Sequence, residues 1–482
     1  MSTAPALAIA SRLGLHDLAG RKLDNLYRAS GINELVSADR EFWENEPSMA
    51  VNPLYPSIVV VFNHYYNETT GGPCRAHVSW DGGETFNWND WIELPLPSGT
   101  GDCSDPVVRF SPDGMYTYYF YMDVYQVGNS EVSDIIMQRA EGTDPTTLVG
   151  LPVKVFDANG TNFYDKEWGD VHPHDYYNSG GNAGVVYATA TLFDAGGGCS
   201  IVFNASYDYG VSWQYDTANP LVLDTDADCN PVLQGSRPIG GNNNFMMACW
   251  YDSHSDGYLG GKFNITCRAH DNLGSPSLGT WSDYFYPFLK QKYEVSEWLG
   301  PYDKYHRWRA TMFPVLAVDE EGMVYVATVA DDSSSTNTEA GNIYVGWAWL
   351  DYTVSSLSSW TKQAVDTSGG AQGFPTMVAH YSGTAKAYKL LIAYNSYMGN
   401  NKYYKIVYRV GTRKKAKKTM SFSTSSVVLS DRRSQSDYYF IGDYIDSATD
   451  GRNYHVVWTD RSDAYNKYDA DDDVLHAVIP MP

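Results

Sequence analysis

Seven stretches of this chain repeat one pattern, and the repetition limits the fold more than any single motif. They are SIVVVFNHYY (57–66), MYTYYFYMDV (115–124), GVVYATATLF (184–193), NFMMACWYDS (244–253), MVYVATVADD (323–332), YKLLIAYNSY (388–397) and NYHVVWTDRS (453–462). Each is rich in Val, Tyr, Ile, Phe and Trp over its whole length, as a strand buried on both faces should be. A shorter segment opening on a turn or small residue precedes each one: EPSMAV, DPVVRF, EWGDV, NPVLQG, FPVLAV, FPTMVA and GDYIDS. A third strand follows, from CRAHVS in the first unit to VLHAVI in the last, and a fourth closes most units. Four strands per unit at a period of about sixty residues is the pattern of propeller blades, which bury their faces against their neighbours.

The expectation is therefore an all-β fold, a β-propeller of four-stranded blades. Seven blades is the count, with six plus an irregular unit as the alternative. The last unit reaches Pro482 after three strands, so an N-terminal segment, NELVSA (33–38), is predicted to complete it. Residues 1–32 stand apart as a short helical arm, with Leu15, Leu18, Leu23 and Leu26 near helical spacing. The arm either packs on the propeller (33–482) or docks it into a larger assembly.

Charge excludes one class of partner. The chain has 57 Asp and Glu against 34 Lys and Arg, a net charge of -23, which repels nucleic-acid phosphates. No apolar run approaches the length that spans a bilayer. The N-terminus has no basic residue before Arg12 and makes a poor secretory signal. The six cysteines lack CxxC spacing, so a zinc knuckle or redox pair is not expected. Cys249 and Cys267 could face each other on neighbouring strands, with free buried thiols as the competing expectation.

Two polar turns occupy the same slot, between the third and fourth strands of units one and three: SWDGGETF (79–86) and SYDYGVSW (206–213). In each, the Asp can accept backbone N–H groups, Gly supplies a left-handed residue and the aromatic packs between sheets. With these turns, and with NEPSMAVNP (45–53), DPVVRFSPDG (105–114), DKEW (165–168) and GDYIDSATDGRNYHVVWTD (442–460), the chain resembles the BNR or Asp-box propellers of the sialidase-like superfamily over roughly residues 40–482. The resemblance implies that the two turns are structural and lie away from the active face. It also implies a glycan-active site at the central mouth.

The start of each unit's first strand should line that mouth. Reading those starts gives Glu46, Asp105, Lys166, Glu167, Arg237, Arg309, Asp443 and Tyr444. Asp105, Glu46, Glu167, Asp443 and Tyr444 are the catalytic candidates, because crowded carboxylates move one another's pKa and can act as acid and base. Lys166, Arg237 and Arg309 are candidates for holding an anionic substituent. Trp168, Tyr302 and Trp308 are candidates for stacking on a sugar ring. The competing expectation is that the charged groups pair among themselves and close the channel.

The sialidase pattern is incomplete. Where the resemblance implies an Arg-Ile-Pro motif, this chain reads EPSMAV. A metal reading of Asp170, His172, His174 and Asp175 is outweighed by simple hydrogen bonding. DTDAD (224–228) and DADDD (469–473) offer oxygen ligands for Ca²⁺ but do not match an EF-hand loop, and no cofactor is required. The basic turn TRKKAKKT (412–419) is the one cationic run in an acidic chain. Two functions remain: a glycoside hydrolase acting on glycans, acidic ones included, or a non-catalytic propeller binding glycan or protein in a virion or surface assembly. An extracellular or virion-exposed location is favoured.

Overall fold

Strands that are apolar on both faces need a sheet packed on either side, and the chain meets that need by stacking sheet on sheet. The computed structural model describes residues 33–482 except 38–41, 68–70, 88–89, 100, 173–184, 242–244, 254–262, 272–279, 289–292, 295–312, 333–340, 350–359, 367–371, 399–402, 436–440 and 463–471. The predicted N-terminal arm lies outside the described residues, which form strands and turns with no helix. In unit one, Val59–Tyr66 pairs antiparallel with Trp43–Val51 on one side and Cys74–Ser79 on the other. The same meander recurs in order along the chain. Units two and three are joined by one parallel bridge, between Phe163 and Ser133. The last sheet takes its outer strand from Glu34–Ser37, which pairs with Asp473–Pro480, as predicted for that segment.

Packing follows the alternation of side chains along each strand. Val60 and Phe62 face unit two, against Val108, Tyr119 and Ile136. Val59 and Val61 face unit seven, against Val457 and Val474. Tyr187 and Phe203 of unit three meet Met246 and Trp250 of unit four in the same way. Each such side chain contributes about 1.5–3 kcal/mol on burial, so the sheet interfaces dominate stability.

The first strands are Trp43–Val51, Asp102–Phe110, Phe163–Val171, Leu233–Gly240, Val315–Val318, Gln372–Ser382 and Asp446–Thr449. Each contacts the next in chain order, and the seventh contacts the first. Their pairing slips at one repeated place, between Asn45 and Ser48, Ser104 and Val107, Asp165 and Trp168, Gln234 and Arg237, and Gly373 and Thr376. A left-handed residue sits inside each of these bulges: Glu46 (φ 53°), Asp105 (50°), Lys166 (52°), Gly235 (65°) and Phe374 (48°). Gly442 (84°) holds the matching place before Asp446–Thr449. Setting EPSMAV, DPVVRF, EWGDV and NPVLQG side by side by their second residues would match Trp168 and Pro231 to Pro47 and Pro106, and the bulges correct this to Glu167 and Ser236.

The two repeated turns close the same bonds. Ser79 Oγ donates to Asp81 (2.7 Å) and accepts from Gly83 N (2.8 Å), while Thr85 donates to Asp81 from both N and Oγ1 (2.9 and 2.6 Å). Ser206, Asp208, Gly210 and Ser212 repeat this set at 2.6–2.8 Å. Gly83 and Gly210 have φ of 84° and 79°. A Cβ on either would strike a neighbouring sheet, at His476 and Met137 respectively. The turns therefore key one sheet to the sheet before it.

Free thiols are the expectation that fails. All six cysteines are bonded: Cys74–Cys103, Cys199–Cys229 and Cys249–Cys267. Cys249 and Cys267 are direct register partners, the facing pair anticipated from the sequence. Cys74–Cys103 links the third strand of unit one to the first strand of unit two, across a sheet interface. Replacing both with Ala is expected to cost about 2–5 kcal/mol of unfolding free energy. Urea denaturation of the oxidised wild type against that double variant measures it.

Candidate functional site

The bulges decide where the charged side chains go. A left-handed residue turns the backbone out of the pleat and re-aims the side chain, at a cost of about 1–3 kcal/mol for a residue other than glycine. Glu46, Asp105 and Lys166 each bear that cost, and their side chains converge. The Lys166 ammonium lies 3.1 Å from Glu46 Oε1, 2.5 Å from Asp105 Oδ1 and 2.5 Å from Asp443 Oδ2. Asp105 also accepts from the Lys166 backbone N–H at 3.2 Å. None of the four is more than 8% exposed.

One ammonium cannot neutralise three carboxylates, so the cluster holds protons. Burial, then the neighbouring Glu46 charge, pushes the Asp105 carboxyl up to about 7, against the pull of Lys166. Burial opposes the charge on Lys166, yet Asp105, Asp443 and Glu46 together hold its pKa well above the usual lysine value. The two shifts look opposed, since a fully ionic pair would depress the acid. They are reconciled by crowding: lysine stays charged, while the acids compete for what it supplies.

Glu167 follows Lys166 and is 2% exposed. Neither of its carboxyl oxygens has a hydrogen-bond partner among the described residues. Burial, followed by the charge on Asp105, raises its pKa well above the ordinary carboxylate range. Its protonated form is favoured by that burial. It lines a cavity of about 20 Å³ together with Lys166, Asp443, Ser236 and Arg237, room for roughly one water.

Two residues past the bulge the channel changes character. Arg237 is stacked on Trp168, 3.5 Å from guanidinium carbon to ring centroid, and Arg109 approaches the same ring at 5.0 Å. Arg109 is paired with Asp446 at 3.2 Å and lies 3.7 Å from Asp170. Burial raises Asp170 to about 6, against the pull of Arg109. Tyr444 packs edge-on against Trp168 at 5.4 Å and donates its hydroxyl to Pro106 O at 2.9 Å. Burial, with Glu46, Asp105 and Glu167 nearby, puts its pKa well above the usual phenol. That phenol is a donor, not a ready nucleophile.

Of the residues predicted from sequence, Glu46, Asp105, Lys166 and Asp443 form one cluster, with Glu167 beside it. Trp168, Arg237 and Tyr444 form a second layer deeper along the first strands. Arg309, Tyr302 and Trp308 lie outside the described residues, as do His174 and Asp175. Arg109 and Asp446 were missed. Their signal was the inner-strand alternation carried past the first charged position, in DPVVRF and GDYIDS. Among the described residues, no group of three or more His, Cys, Asp or Glu is placed to hold a metal ion.

No protein-family description matches this chain, and no curated protein matches its sequence. Solved structures do resemble it in outline. A protein of unknown function from Dyadobacter fermentans is 10% identical, over 94% of this chain and 98% of its own, with a TM-score of 0.45. The alpha-L-arabinofuranosidase of Fusarium graminearum is 10% identical, over 93% and 97%, with a TM-score of 0.45. A sialidase of Streptococcus pneumoniae is 10% identical, over 93% of this chain and 70% of its own, with a TM-score of 0.44. At that distance none of them assigns a role to a residue here.

Two consequences of the cluster are measurable. Lys166→Met would leave three buried carboxylates without their cation and is expected to cost about 3–5 kcal/mol in chemical denaturation at pH 7. Asp105 titrates near 7 when folded and near 3.8 when unfolded, so the folded state holds the extra proton between those limits. That contribution is fully present below the unfolded value and is lost as pH rises through 7. The wild type should lose up to about 1.4 kcal/mol per pH unit from this group across the window. Glu167 acts in the same direction, and Asp105→Asn should flatten the dependence.

Proposed function

We propose that the seven sheets close into a propeller of sialidase-like architecture that binds glycans and does not hydrolyse them. The carrying observation is the engagement of the Lys166 ammonium with Glu46, Asp105 and Asp443 together. A hydrolase needs one carboxyl to donate a proton and another, ionised, to attack or to activate water, both facing the sugar. Here the three acids are turned onto a lysine and buried, which is how a channel is plugged. What supports a closed ring is the series of contacts between first strands, together with the packing of unit seven on unit one. Glycan as the ligand rests on the resemblance to the sialidase-like propellers. This reading needs no cofactor, and Ca²⁺ in the acidic loops stays a separate proposal.

A second reading, a glycoside hydrolase, is favoured by Glu167. A buried carboxyl whose pKa is raised, without a hydrogen-bond partner among the described residues and lining a cavity beside Asp105, has the makings of a general acid. Incubation with a panel of neutral and acidic oligosaccharides, following both sugar release and binding, separates the two readings. The binding reading expects no release by the wild type, and binding unchanged in Asp105→Asn and Glu167→Gln. Release by the wild type, reduced about 100-fold or more in either variant, would establish the hydrolase instead.

A further inference from the structure

The deeper layer contains a buried cation with no directly bonded counterion among the described residues. Arg237 is 8% exposed. Among the described residues its guanidinium makes no hydrogen bond and no ion pair. Its neighbours are the faces of Trp168, at 3.5 Å, and Tyr444, at 5.9 Å. Burial lowers its pKa to about 10, with Asp446 near enough to oppose that shift but not to bond. It therefore stays charged at neutral pH. Arg109, gathered onto the same indole, is already matched by Asp446 and Asp170. Arg237 has no such direct partner among the described residues, and its donors are open to the cavity.

A guanidinium that makes no hydrogen bond among the described residues and lines a cavity favours a bidentate oxyanion. There is room for one. Arg237 and Trp168 form the waist between the small cavity beside Glu167 and a larger one of about 500 Å³. The larger cavity is lined by the far halves of all seven first strands, past the bulges. Its volume suits a molecule of one or two sugar rings. Its wall is mostly apolar, from Val315, Ala317 and Met377, with the charged groups gathered at the waist.

We propose that this larger cavity, at the end of the channel opposite the Lys166 cluster, binds a small organic oxyanion, a carboxylate or a sulfate, through Arg237. The inference does not depend on glycan binding at the other mouth.

The test follows thermal unfolding of the full chain with increasing sodium sulfate or sodium glucuronate, ionic strength being held constant with sodium chloride and glucose serving as the uncharged control. The site predicts a saturable rise in midpoint with at least one anion and none with glucose. Sulfate alone would identify a sulfate-type ligand, and glucuronate alone a carboxylate. In Arg237→Met the rise should vanish, and the midpoint without anion should equal or exceed that of the wild type, because the unmatched charge is gone. Arg237→Lys, which keeps the charge but not the fork, should bind at least tenfold more weakly and serves if the Met variant does not fold. Lys414→Ala with Lys415→Ala, on the exposed basic turn, should leave the effect intact. No saturable effect in the wild type, or an effect that survives Arg237→Met or disappears with the lysine pair, overturns the proposal.

Discussion

Everything at the centre of this molecule follows from a backbone irregularity repeated on the innermost strands. A regular strand would alternate its side chains between two packed sheets and leave nothing for the axis. The left-handed bulge breaks that alternation in five of the first strands, and in three of them it re-aims a charged side chain, Glu46, Asp105 or Lys166. Where the residue is glycine the chain bears little cost. Where it is Glu46, Asp105 or Lys166 the strain is real, and it persists because the flanking sheets over-determine the backbone. Once three acids are aimed at one axis, a cation there becomes a necessity, and Lys166 meets it.

Two layers of charge result, with different characters. At the bulges, one cation serves an excess of acid and the surplus is managed by protons. Two residues deeper, Arg109 is paired with two acids, and Arg237 is stacked on an indole with no direct ion pair among the described residues. Between them lies Glu167, whose carboxyl has no ion pair and no hydrogen-bond partner among the described residues. The sheets themselves contribute no chemistry. Their role is rigidity, supplied by apolar interfaces, by a disulfide across one interface and by two polar turns that key into the neighbouring sheet.

Much of the architecture was legible because it rests on local pattern. Continuous apolar runs such as VVVF at 59–62 mean burial on both faces, and their recurrence means stacked sheets. The outer strand of the last sheet could be placed because Val474–Ile479 lacked a partner and Leu35–Val36 offered one. The central residues Glu46, Asp105, Lys166 and Asp443 were found by reading the start of each first strand. Their pairing with one another stood in the sequence only as the competing expectation, because the choice depends on side-chain direction at bulges, and φ is not written in the residue names Glu, Asp and Lys. The same blindness shifted unit four by five residues: Pro231 looks like Pro47, but the bulge uses Gly235 and Ser236. Arg109 was overlooked because it falls late in its strand, where a basic residue ordinarily reads as solvent-facing.

The partnership between Glu34–Ser37 and Asp473–Pro480 has a bearing on how the chain acquires its shape. Earlier sheets are meanders of sequence neighbours and can assemble as they leave the ribosome. The final sheet joins segments far apart in sequence, Glu34 pairing with His476, and a pairing of such long separation is, by loop-closure entropy, slow to form. Until then the Val36, Val457 and Val474 surface stays open to water, so nascent chains carry an apolar flank that a chaperone, or another unfinished copy, can seize.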